Sequence, residues 1–389
     1  MQQRNSDSTQ RSTIGRRPFL AATGVSVAGL TALAGCLGDD DAPPIADSEP
    51  LGEPVDSTAV TWDELGDLEG EISIYCGRDR TQIDGVFEAL EDEYDDLSID
   101  VDYDDNDVHV NQIIEEGDAT AADIMYSQDP GALGELEREG VVQALPDDIV
   151  DAVPESYREP DGYWTGVTGR VRAIQYNEDR LDETEFDGPE DFPDDIMEFA
   201  TDDRFEGIIS TRPNSGTFRG FIQAMVELEG EEATREWVND MVDEQDAELF
   251  TSGGDQAAAV EQGGDDDPIV ALGNSYYAAR LINEDPDSPI SVAFTENDAG
   301  CLFSVAGVAA TNAVSDPDLV AEFVRHLVAA EGQEFMMEQN GEYPVVEGID
   351  YVGDLPDLEE INPPEFDLSD FDMDMQSARE IIEDEGMEV

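Results

Sequence analysis

The chain has 389 residues, 97 acidic side chains against 18 basic ones, and a formal charge of −79. All 18 basic residues are Arg, and so acidic a balance excludes a surface of clustered basic residues that grips nucleic-acid phosphates or anionic lipid headgroups. With 39% hydrophobic residues the chain still has enough apolar material for a core, so it is not an acidic disordered tail.

The first 35 residues run against the composition, with Arg4, Arg11, Arg16 and Arg17 facing a single Asp7. Arg16-Arg17-Pro18-Phe19-Leu20 leads into a mildly apolar run from Ala21 to Ala34, shorter than the roughly 20 apolar residues a spanning helix needs. It reads as a targeting segment, and its twin arginine resembles a Tat export signal. Leu33-Ala34-Gly35-Cys36 resembles a lipobox, which makes Cys36 the expected lipidation site and 1–35 the expected signal peptide. The expected location is the extracellular face of the membrane, with a lipid anchor as the membrane attachment. Residues 36–69 are acidic and Pro-containing and read as a linker.

From Glu71 the periods alternate. Glu71–Tyr75 alternates like a strand, and Ile83, Val86, Phe87, Leu90 and Tyr94 recur at helical spacing. Ile99, Val101 and Tyr103 suggest a second strand, Val110, Ile113 and Ile114 a helix, and Asp123–Tyr126 a third strand. Strands alternating with helices predict an α/β fold with a largely parallel sheet, and about 320 residues are too many for one such core. Two lobes are therefore expected. Ligands bind at the carboxyl ends of such strands, which draws attention to Tyr75–Arg80 and Tyr126–Asp129.

Asn214-Ser215-Gly216-Thr217-Phe218 precedes another helical pattern and could serve as an N-cap or as an anion site. Asn274-Ser275-Tyr276-Tyr277 follows the strand-like Pro268–Leu272. At a strand end both phenols can turn into one cleft, as packing or as ligands for a hard cation such as Fe³⁺. His109 and His326 are both expected to face solvent. No nucleophile elbow, P-loop or zinc spacing occurs, so no enzymatic activity is expected.

A dense carboxylate surface without Lys looks like that of a halophile's protein, because at 0.1 M salt such repulsion is screened only beyond about 10 Å. In the folded part, Ile74–Arg78, Ala122–Asp129, Trp164–Arg172, Pro213–Phe218, Asn274–Tyr277, Asp298–Gly300 and Glu342–Val345 together resemble the ferric-ion-binding solute receptors of ABC importers. The resemblance implies a two-lobed flytrap of the periplasmic-binding-protein type, with hinges near Gly169–Arg172 and Phe294–Gly300. The implied lobes are 70–169 (N-lobe), 170–294 (C-lobe), 295–345 (return to the N-lobe) and 346–389 (packing on the C-lobe).

It further implies Fe(III) as transported ligand, held by the Tyr276 and Tyr277 phenolates. A synergistic phosphate or carbonate would sit on Ser215, Gly216, Thr217 and Asn274. Where some members have a His ligand this chain has Asp79, and where they have a Glu it has Gln128, with Asp129 beside it. Other members carry a third Tyr at the position of Phe218. Asp79, Gln128 and Asp129 are thus the candidates for completing the metal shell, with anion and water filling the remaining positions as the alternative. The implied partners are an ABC permease and its ATPase, and the expected state is a monomer. Related branches bind thiamine or its phosphate, phosphonates or sugar phosphates, which is the alternative ligand class. Cys76 and Cys301 could pair as a disulfide or remain buried thiols.

Overall fold

In this computed structural model, residues 43–55, 60–353, 355–364 and 375–387 are described, and the expected export signal and Cys36 lie outside them. β1 (Gly70–Cys76), α1 (Arg80–Glu93), β2 (Leu97–Tyr103), α2 (Asn106–Glu116), β3 (Ile124–Ser127) and α3 (Pro130–Arg138) alternate as the hydrophobic periods require. β4 (Val142–Gln143), α4 (Asp147–Asp151) and the long β5 (Thr165–Asn177) follow. Next come β6 (Ile209–Thr211), α5 (Gly216–Glu229), α6 (Glu231–Asp243), β7 (Glu248–Leu249), α7 (Gly253–Gln262), β8 (Val270–Asn274), α8 (Ser275–Glu284) and β9 (Ile290–Ala293). The chain continues through β10 (Phe303–Thr311), α9 (Pro317–Val328), α10 (Ala330–Asn340), β11 (Tyr343–Pro344), α11 (Leu358–Ile361) and α12 (Met375–Asp384).

Side-chain caps set several of these helix starts. Asp129 accepts from Ala132 N at α3, with Pro130 in the first turn, and Ser215 accepts from Phe218 N at α5. The strands run in the order β2-β1-β3-β10-β5-β8-β6-β7. β1 pairs parallel with β2 and β3, and β6 pairs parallel with β7 and β8. Between these two trios the connections are antiparallel, through β10 and β5. The sheet is therefore mixed, parallel only in its two halves.

β5 belongs to both halves. Its first part pairs with β10 as far as Val171↔Phe303, and from Arg172↔Asn274 onward it pairs with β8 and then β9. All 13 of its residues are buried. Each half carries its own core: one gathers Ile74, Phe87, Met125, Val305 and Phe323, the other Phe199, Phe205, Phe221, Trp237 and Val270.

Several expectations need correction. Residues 36–69 read as a free linker, yet 43–55 and 60–69 lie against α9. Ile45, Val55, Leu65 and Leu68 are buried in the first core. The fully buried Glu322 accepts from Gly66 N at 2.7 Å and Leu51 N at 3.3 Å and pairs with Arg325 at 3.1 Å. Arg325 also donates to Ser48 O and pairs with Asp148, and Trp62 Nε1 donates to His326 O. This strap covers the polar side of α9, so His326 is buried rather than exposed, its ring 2.8 Å from the Tyr94 hydroxyl. His109 is buried as well, stacked on Tyr75 at 4.9 Å.

The segment 346–389 does not pack as one piece. Leu355 and Ile361 join the first core, whereas Ala378, Ile381 and Ile382 of α12 join the second. Cys76 and Cys301 are both buried free thiols with no disulfide between them. Burial pushes the Cys76 thiol up to about 12 and raises that of Cys301 too. Among the described residues, no helix is long and apolar enough to cross a membrane.

Candidate metal and anion site

The carboxyl ends of β1, β3 and β8 and the starts of α5 and α8 meet in one cleft between the two cores. Tyr276 and Tyr277 open α8 straight after β8, with Asn274 at the N-cap. Their ring centroids are 4.2 Å apart and both side chains are buried. Gln128, at the end of β3 on the other core, reaches the Tyr276 hydroxyl with its amide at 3.4 Å. Arg212 donates to the Tyr277 hydroxyl at 3.3 Å. The Tyr277 ring lies across the start of α7, where a Cβ on Gly253 would stand 2.3 Å from the ring. Only glycine leaves room for it.

Burial raises the Tyr277 pKa well above its ordinary value, the neighbouring Tyr276 raises it further, and Arg212 opposes the shift. Asp79 contributes in the raising direction, so its charge is felt at the phenol across the cleft. Asp79 is the exposed N-cap residue of α1. Asp129 is differently engaged. Its Oδ1 accepts from Ala132 N at 3.2 Å and its Oδ2 from Asn106 at 2.6 Å. A Cβ on Gly216 would come within 2.5 Å of Asp129 Oδ2, so the two cores approach closely there. Among the described residues no three His, Cys, Asp or Glu side chains form a metal cage. The hard donors here are the two phenols, with the exposed Asp79 carboxylate at the cap of α1 near enough to act on Tyr277.

Next to them lies a small cavity lined by Asp129, Arg170, Arg172, Gly216, Thr217 and Asn274, among others. Of the anticipated anion ligands, Gly216, Thr217 and Asn274 line it, and Asn274 donates to the Thr217 hydroxyl at 3.2 Å. The Ser215 hydroxyl serves instead as the N-cap of α5, accepting from Phe218 N at 3.1 Å. Phe218 sits in the second core and offers no ligand atom.

The two arginines escape a reading based on motif types alone. Arg170 is 1% exposed, donates from Nη2 to Gln128 O, and has no partner at Nε or Nη1. Burial lowers its pKa, while Tyr276, Glu342 and Asp129 pull the other way. Arg172 lies over the Phe221 ring at 4.1 Å, and burial pulls it down to about 9. A buried guanidinium with open donors and no carboxylate pays a desolvation cost that a bound anion would offset. Arg78 is already matched, by Glu342 at 2.7 Å. The signal was present in the sequence: Arg170 and Arg172 are two apart on a buried strand and so share one face.

Residues 119–367 match the family model for bacterial extracellular solute-binding proteins. The chain belongs to that family. Solute-binding proteins are binding proteins, not enzymes. Among curated relatives of this one, iron uptake protein A1 of Synechocystis is 29% identical over 249 residues, 62% of this chain and 66% of its own length. The solute-binding protein thus spans about two thirds of that relative. The major ferric iron-binding protein of Neisseria meningitidis serogroup A is 25% identical over 284 residues, covering 71% and 81% of the two chains. Among solved structures, iron-bound HitA from Pseudomonas aeruginosa superposes with a TM-score of 0.74 at 25% identity, over 81% of this chain and 99% of that one. The fold is the α/β, two-lobed one of periplasmic iron-binding proteins.

Proposed function

We propose that this protein captures Fe(III) outside the cell together with an oxyanion and delivers it to an ABC permease and its ATPase. The observation that carries the reading is the pair of buried phenols, Tyr276 and Tyr277, side by side at one helix start and facing Gln128 and Asp79. Similarity to proteins named for ferric iron supports it. Fe(III) is the cargo, and deprotonated Tyr276 and Tyr277 are its first ligands. Asp79 is the third protein ligand, because it caps α1 from an exposed position, whereas Asp129 is buried with both oxygens hydrogen-bonded. Gln128 orients the Tyr276 hydroxyl.

The oxyanion, phosphate or carbonate, sits against the start of α5 between Arg170, Thr217 and Asn274 and completes the metal's shell. Metal and anion bridge surfaces from both cores, so loading favours the closed form. Release follows from protonation of the phenolates, from reduction, or from a permease that favours the open form. Export through the twin-arginine segment, a lipid on Cys36 and a salt-rich medium complete the proposal.

The test is a titration of the protein with ferric citrate in multimolar KCl while the visible spectrum is recorded. A tyrosinate-to-iron colour should saturate at one equivalent and vanish in the Tyr276→Phe, Tyr277→Phe double variant. The guanidinium-lined cavity also favours a second reading, direct binding of an organic phosphate. No colour, together with thermal stabilisation by thiamine phosphate or a sugar phosphate, would move the assignment there.

A further inference from the structure

Asp107 is the second residue of α2, whose Val110 and Ile113 are buried in the first core. Two guanidiniums from the opposite side of the cleft hold its carboxylate. Arg219 of α5 approaches Oδ1 at 3.0 Å, and Arg379 of α12 approaches Oδ2 at 3.0 Å. α5 and α12 both pack in the second core. Among the ion pairs described, Arg219–Asp107 and Arg379–Asp107 join one core to the other, and they converge on a single carboxylate.

That convergence matters in this chain. With a formal charge of −79 the facing surfaces repel one another, and only 18 cationic side chains exist to oppose it. α12 is fixed relative to the second core by Ala378, Ile381, Ile382 and Met387 and by ion pairs from Arg235 of α6 to Asp384 and Glu385. Arg379 is therefore held in position by its own helix, although its side chain is 45% exposed. A groove beside it, lined by Asn214, Arg219, Arg379 and Glu383 among others, leaves the contact open to solvent ions.

We infer that Asp107, Arg219 and Arg379 form an electrostatic tie across the mouth of the cleft. The C-terminal helix is then part of the closing machinery, and the strength of the tie sets how fast ligand leaves. Opening the cleft breaks both arms together, because they share one acceptor. Being partly exposed, the arms weaken with ionic strength. Only the effect on ligand release rests on the iron-capture reading. The tie itself does not.

The experiment compares the parent with Arg379→Gln, Asp107→Asn and the double variant, at 0.2 M and 3 M KCl. Small-angle scattering of the ligand-free chain reads the opening directly: both single variants should be more expanded than the parent at 0.2 M and converge on it at 3 M. Release of Fe(III) loaded with phosphate, chased with a chelator, should accelerate about two- to five-fold for each arm lost at low salt. Asp107→Asn should exceed Arg379→Gln, and adding Arg379→Gln to it should change nothing further. Unchanged scattering and release in Arg379→Gln at 0.2 M would overturn the tie, as would full additivity in the double variant. A parent that binds no iron would sink the capture reading, and the scattering would still decide on the tie.

Discussion

Tyr277→Phe removes one oxygen from a ring that stays packed across Gly253, so it tests ligation with little change in fold. Iron affinity is expected to fall by at least about 100-fold in Tyr277→Phe and in Tyr276→Phe, measured by competition with a chelator. Burial and Tyr276 raise the Tyr277 pKa, so the free protein holds that phenol neutral and the metal must displace its proton. Iron affinity should therefore rise with pH, with proton release detectable by titration in weak buffer. For the free protein the sign is opposite: an unfolded Tyr ionises near 10, the folded one higher, so stability falls as pH rises past about 10. Arg170→Gln should remove the dependence of the iron spectrum on the anion supplied, phosphate against bicarbonate. That Tyr276 and Tyr277 turn together at a strand end was legible from the strand-like run before them, while the ligand role rests on the resemblance. For Arg170 only its place on a buried strand was legible; that its Nε and Nη1 lack partners depends on what packs around it, which the sequence does not show.

At the scale of elements, the alternation of periods placed β1 to β3, with α1 and α2 between them, to within a few residues; β2 alternates buried and more exposed positions, whereas β3 is buried throughout. Composition misled in two places. An acidic, Pro-containing segment looked like a tether, yet its few apolar residues, Ile45, Val55, Leu65 and Leu68, are the ones that dock on the first core. His326 looked exposed because a helix wheel sees its own helix and not the strap laid over it. A chain beginning at residue 70 should accordingly melt at lower temperature than one beginning at 43, since it would uncover Glu322 and Arg325. Glu322→Gln should cost about 1–3 kcal/mol in denaturant unfolding, because it weakens the hydrogen bonds from Gly66 N and Leu51 N and removes one of the two carboxylates on Arg325, Asp148 remaining. A melt unaffected by either change would mean that the strap contributes nothing.

At the scale of the whole molecule, charge dominates. The thermal midpoint is expected to climb steeply between 0.1 M and multimolar KCl, as screening relieves the repulsion of 97 carboxylates. A flat response would contradict a salt-adapted surface. The acidic composition was the clearest feature of the sequence and says nothing about the ligand, whereas the pairing of halves was hidden, because strand order across a cleft depends on contacts far apart in the chain. β5 carries a consequence for how the molecule comes apart. Its 13 residues are one continuous backbone that is flanked by β10 and β11 in its first part and by β8 and β9 in its second. Melting either half strips a neighbour from the other, so two separate cores should still denature as one cooperative unit. A single calorimetric peak, with van't Hoff and calorimetric enthalpies in agreement, is the expected thermogram.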